Sequence, residues 1–218
     1  MLYLLGQEFS WFTFIMQLAV LALIAFVVFP ARGFAQAFVA YKLGDPTGKY
    51  AGRMTMNPLA HIDKFGIVVL FLCGLGFVKP VPINAHNFKN PRRDLILTAL
   101  AGPVMGLLMG FLGVAVYRIA ALFVTEYVTL YKLFTILITL FARLNIQLAI
   151  LTLLPIPFFD GYQILAMFLP GRWVYWVESN SMMVSIFVLI LIVSGLLNVP
   201  LNFLTNLVVN GMLFLVGA

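Results

Sequence analysis

An all-α polytopic membrane protein with four to six membrane segments is the fold class this sequence predicts. Three observations predict it. Apolar residues make up 63% of the chain and charged residues 9%, with a mean hydropathy of +1.08, far outside the range of water-soluble domains. Residues 11–30 and 95–117 are uncharged apolar runs, each meeting the roughly 20 residues needed to cross about 30 Å of hydrocarbon. The basic residues gather between such runs, so the net charge of +6 fits positive-inside topology and excludes a nucleic-acid module. The 218 residues suit one domain, 1–218.

Taken in order, the first eight residues lack a basic n-region, so no cleaved signal peptide is expected. The run 11–30 is the first span. Residues 65–78 number only 14 and carry three glycines, too few for a comfortable span but enough for a re-entrant hairpin. Basic stretches flank it: Arg32, Lys42, Lys49, Arg53 and Lys64 before, Lys79, Lys89, Arg92 and Arg93 after. Both therefore belong on the cytoplasmic side. Span 95–117 places Gly102, Gly106 and Gly110 four residues apart, which permits close helix contact. The third run, 133–159, is interrupted by Arg143, expected to snorkel to the interface; a functional charge at mid-membrane is the other reading. Pro155 and Pro157 end that helix, and Asp160-Gly161 follows at the depth of Arg32 and Gln36. Residues 181–197 and 201–216, broken at Pro200, form a last pair. The alternation of polar and apolar residues from Gly52 to Asn57 predicts a small β edge. Cys73 is the single cysteine, so no intrachain disulfide can form.

Chemistry concentrates in four stretches. The first is Arg32-Gly33-Phe34-Ala35-Gln36, continued by Ala40-Tyr41-Lys42-Leu43-Gly44-Asp45-Pro46-Thr47. The second is Gly52-Arg53 with Asn57-Pro58-Leu59-Ala60-His61-Ile62-Asp63. The third is Lys79-Pro80-Val81-Pro82, then Asn87-Phe88 and Asn90-Pro91-Arg92-Arg93-Asp94, running into Ala99-Leu100-Ala101-Gly102-Pro103. The fourth is Leu153-Leu154-Pro155-Ile156-Pro157-Phe158-Phe159-Asp160-Gly161. In order and spacing they resemble the site-2 protease family of intramembrane zinc metalloproteases, over most of residues 30–165.

The resemblance implies a helical bundle whose motif helix supplies two histidine ligands and a glutamate base, with an aspartate as third ligand. Histidines at i and i+4 share a helix face and can bind one Zn²⁺; the carboxylate takes a proton from metal-bound water. Carried over residue by residue, Arg32 and Gln36 stand at the histidine positions and Gly33 at the glutamate, and only Asp160 is retained. A guanidinium has no lone pair for a metal, an amide is a poor zinc ligand, and glycine has no base. Thr152 stands where the family usually has asparagine, and Phe158-Phe159 replaces a smaller pair. By the same resemblance, Gly52, Arg53, Met54, Thr55, Met56, Asn57 and Thr152 line a substrate groove, where an edge strand pairs with an unwound helix. His61, Pro155, Pro157 and Gly161 are structural.

In place of the metal, a buried Arg32–Asp160 ion pair is expected, with Gln36 hydrogen-bonding the free carboxylate oxygen. The alternative sends Arg32 to the headgroups and leaves Asp160 to cap the next helix. A relocated site through His61, His86 and Asp160 stays open, although His86 is expected at the headgroup surface. The function expected is a non-catalytic pseudoprotease, with no cofactor as written, that binds transmembrane segments of partner proteins in the lipid bilayer. An active or deliberately inactivated zinc endopeptidase is the alternative. A transporter using Arg143 and Asp160 as pathway residues is a third class, which the family-like stretches disfavour.

Overall fold

The computed structural model describes residues 11–73, 78–122, 128–157 and 159–217. Helix α1 (Trp11–Leu23), a π segment (Ile24–Val28) and α2 (Phe29–Leu43) form one continuous rod. The rod does not stop at Pro30, where the expected span ended. Pro30 has no N–H to give to the carbonyl four residues back. The widened π turn just ahead of it absorbs that defect, so the helix runs on. Gly44, at φ 114°, closes α2 by donating its N–H to Ala40 and Tyr41, a conformation glycine adopts without strain.

A short α3 (Thr47–Tyr50) and a 3₁₀ turn (Pro58–Ala60) lead to α4 (Lys64–Cys73). Among the described residues there is no β-strand, and the predicted edge at 52–57 is absent. Gly52 turns the chain at φ 69°. The Asn57 side chain accepts from the Leu59 N–H, the Thr55 hydroxyl accepts from the Asn57 N–H, and the Thr55 carbonyl is taken by His61. Backbone groups committed to local turns have none left for a ladder. Antiparallel pairing occurs instead as an isolated bridge between Ile62 and Val78. The return of the expected re-entrant hairpin falls on 74–77, outside the described residues, and α4, only ten residues long, does not support it alone.

A second 3₁₀ turn (Ala85–Asn87) precedes the long α5 (Pro91–Leu122), followed by α6 (Val128–Thr152). These two pack through the predicted glycines. A Cβ added to Gly110 would stand 2.6 Å from Ile146 Cγ1, and one on Gly113 2.9 Å from Ala142 Cβ. Close backbone contact of this kind holds helices together in lipid, where no hydrophobic force separates them from solvent. α6 ends at Thr152, three residues before Pro155, because the residue preceding a proline leaves the helical region. Leu153 and Leu154 tighten the last turn through N–H bonds to Ile150 and Leu151. Then come α7 (Asp160–Ala166), α8 (Gly171–Ser179), α9 (Ser181–Val193) and α10 (Asn198–Leu215).

Among the described residues four helices are long and apolar enough to cross a membrane: Phe14–Leu43, Pro91–Leu122, Tyr131–Thr152 and Asn198–Leu215. This is a mostly helical membrane protein. Of the expected last pair, α9 spans 13 residues and falls short of a crossing. Arg143, expected to snorkel, is exposed, and its Nη2 donates to Asn202 Oδ1 at 3.4 Å. The apolar core gathers Val20, Ile24, Val28, Phe29, Leu148 and Leu151 beneath the motif helix. The first eight residues and Phe158 lie outside the described residues.

Candidate functional site

The site forms where α2, the end of α6 and the start of α7 converge. α7 comes this close because residue 161 is glycine: a Cβ there would stand 2.1 Å from the Leu153 carbonyl oxygen and 2.5 Å from that of Leu154. Gly102 opens the other side, since its Cβ would meet Gln36 Nε2 at 2.9 Å and Asp160 Oδ2 at 3.4 Å. The chain thus closes in on Asp160 from α2 and α5 at once.

Arg32, 4% exposed, points inward, not to headgroups. Its Nη2 lies 3.4 Å from Asp160 Oδ2 and donates to Thr152 Oγ1 at 2.6 Å. Gln36 Nε2 donates to Asp160 Oδ1 at 2.6 Å; the amide nitrogen must face that way because a carboxylate only accepts. Thr152 in turn donates to the Ala149 carbonyl at 3.0 Å. Both Asp160 oxygens turn to Arg32 and Gln36 rather than to the backbone of α7, against the capping alternative. The expected ion pair is present, and Thr152 is the acceptor that the expectation lacked. One heavy atom smaller than asparagine, threonine takes the guanidinium on its hydroxyl at the end of α6.

These residues do not fit zinc. Arg32 offers no lone pair, Gln36 turns its donor toward Asp160, and both oxygens of Asp160 are engaged. The relocated alternative fails as well. Among the described residues no three His, Cys, Asp or Glu side chains are grouped to hold a metal, and His86 is exposed on its 3₁₀ turn.

His61 has the least expected position. It is fully buried, with Nε2 donating to the Thr55 carbonyl at 2.8 Å, and its ring lies against Gly33. A Cβ on Gly33 would fall 2.1 Å from His61 Nδ1 and 2.6 Å from Cε1. The imidazole fills the space into which a residue-33 side chain would project, and Nδ1 has no hydrogen-bond partner there. The signal for this contact was a glycine at the position where the resemblance places a glutamate.

Burial disfavours the His61 imidazolium most. The Thr55 carbonyl opposes that effect, and the nearby Arg53 guanidinium adds to it, so the net result is a pKa below the ordinary value. A base that resists protonation when folded stabilises fully above the unfolded pKa, about 6.5, and loses that contribution as pH falls below it. Unfolding measured between about pH 7.5 and 5.5 should therefore show stability declining on acidification. The slope should flatten in His61→Gln; an unchanged slope would assign it elsewhere.

Of the groove candidates, Thr152 lines the pocket at Arg32 and Asp160, and residues 52–57 are not among its lining residues. Arg53 is buried and donates to the Ala60 carbonyl, bracing the 52–63 turn that carries His61. Met56 is 52% exposed, and Gly52 has open space around it. A narrow pocket instead opens beside Arg32 and Asp160, walled by Val78, Pro80, Ile83 and Gln163. Pro155 and Pro157 shape the turn between α6 and α7.

Sequence alone missed the Asp45 hub. Its carboxylate accepts from Thr47 Oγ1 at 2.5 Å, Asn87 Nδ2 at 2.7 Å and the Asn84 N–H at 2.8 Å. Burial works against its charge, yet these bonds outweigh that and hold its pKa below the usual carboxylate value. The hub ties the 79–90 segment, one wall of the pocket, to the end of α2. The dipeptide Asp45-Pro46 before a threonine marked the local turn, but not its distant partners.

No protein-family model matches the chain, and no solved structure matches it. Among curated proteins the chain is similar to one named "Putative zinc metalloprotease YwhC" from Bacillus subtilis (strain 168), 35% identical over 145 residues, a match that takes in 66% of this chain and 66% of that protein.

Proposed function

We propose that this protein is a non-catalytic member of the site-2 protease family, a pseudoprotease that holds transmembrane segments of partner proteins. Its location would be a bacterial cytoplasmic membrane, with the site near the cytoplasmic face. The observation that carries this reading is a site whose three altered positions are each accommodated. Arg32 and Gln36 share the oxygens of Asp160, and the Gly33 vacancy is taken by His61. A scaffold merely stripped of its ligands would leave a buried carboxylate unpaired, at a strong cost. Similarity to a protein named as a zinc metalloprotease supports the protease-like frame. The narrow pocket, walled by Val78, Pro80 and Ile83 on one side and by Arg32 and Asp160 on the other, offers a mixed polar and apolar place for a side chain of a partner segment.

The deciding measurement is the zinc content of the detergent-purified protein, with Asp160→Ala alongside. Near-zero metal in both is the expected result. Stoichiometric zinc that disappears in Asp160→Ala would overturn the reading and reinstate a zinc endopeptidase. For the binding half, a photo-crosslinking residue at Ile83 in native membranes should capture a transmembrane segment of another protein. If such a residue captures only lipid, the partner role falls.

A further inference from the structure

Helix α10 carries Asn198, Asn202, Asn206 and Asn210, one every four residues. It meets α5 and α6 through Leu201 and Thr205, the two residues it buries. Only 11% of its most apolar window is buried inside the protein, against 44% for Phe14–Leu43, so most of its surface faces outward. Two contacts join it to its neighbours. Asn202 Oδ1 accepts from Arg143 of α6, and the Gly217 carbonyl accepts from Arg118 near the far end of α5 at 2.8 Å. At 1.5 Å per residue, Asn210 and Asn206 stand about 10 and 16 Å in from Gly217, within the span and not at its rim.

Asn206 and Asn210 are exposed, and no protein group among the described residues bonds their amides. In hydrocarbon an unpaired amide is costly, and the intramembrane remedy is a hydrogen bond across to another helix. A carboxamide is donor and acceptor at once, so it is satisfied by its own kind. Copies of one chain insert in the same orientation. A two-fold axis along the membrane normal then brings each asparagine opposite its twin at equal depth. A different protein would need polar groups at both depths. Exposed Val199 and Phe203 lie on the same side of the helix and supply apolar contact beside the asparagines.

We propose that this protein forms a parallel two-fold dimer in the membrane, with Asn206 and Asn210 of α10 paired across the axis. The purified chain in phosphatidylcholine–phosphatidylglycerol vesicles, followed by single-molecule photobleaching over a range of dilutions, tests it. The parent should be dimeric, and Asn206→Leu/Asn210→Leu should weaken association at least about tenfold while melting no lower than the parent. In a Cys73→Ser background, Asn206→Cys should cross-link to its twin under mild oxidant. Leu215→Cys, about half a turn round the helix, should not. A monomeric parent would overturn the proposal, and so would dimers that survive the double leucine substitution. Because the readout is association alone, it stands or falls separately from the zinc and partner measurements.

Discussion

Arg32→Ala is expected to destabilise the fold by about 3–5 kcal/mol, the usual cost of removing one partner of a buried ion pair. Both side chains are largely enclosed, at 5% and 14% exposure, so the little water that reaches them through the narrow pocket is a poor replacement for the lost guanidinium. Asp160 would keep only its bond from Gln36, and Thr152 would lose its donor. The magnitude reflects the stranded carboxylate and does not measure the pair's own value, because a buried pair often only breaks even against its desolvation. Two outcomes separate these contributions. Asp160→Ala in the Arg32→Ala chain should recover much of the loss, and Arg32→Met with Asp160→Leu should fold about as well as the parent. Equilibrium unfolding in detergent reads all four chains; an Arg32→Ala protein that unfolds with the parent would show that the pair contributes nothing.

Gly33→Glu is expected to have an effect at least as large, upward of about 4 kcal/mol. Two costs add. The new Cβ alone would stand 2.1 Å from His61 Nδ1, and the carboxylate beyond it would be buried without a partner. Gly33→Ala isolates the first cost and should destabilise by about 1–3 kcal/mol. His61→Ala combined with either change should return a large part of the loss, because the ring is what the new atoms strike. Folded yield after detergent extraction is the readout. Writing His-Glu back into positions 32 and 33, with Gln36→His, therefore also requires the His61 ring to move from its present place.

Much of this was legible because it depends on local composition. The uncharged runs 11–30 and 95–117 announced membrane helices, and Gly106 and Gly110 announced the contact with α6. The Arg32–Asp160 pair was legible because the resemblance placed both residues at one depth and charge complementarity did the rest. The His61–Gly33 contact was not, since it depends on how the 52–63 turn folds over α2. No periodicity encodes the path of a turn. The same turn explains the missing β edge: alternation from Gly52 to Asn57 imitates a strand, but Gly52, Asn57 and Pro58 spend the backbone locally. The π segment was hidden for a related reason, because Pro30 reads as a helix end unless packing on both sides holds the rod together.

The ion pair also sets an order of events in biosynthesis. Arg32 and Asp160 are 128 residues apart, and at ribosomal rates of about 5–20 residues per second the cation waits roughly 6–25 s for its counter-charge. During that interval the first helix carries an unneutralised arginine in or beside the bilayer. Its commitment to the membrane therefore depends on the chain that follows. Polypeptides that stop short of α7 lack Asp160 and so leave that arginine without its counter-charge.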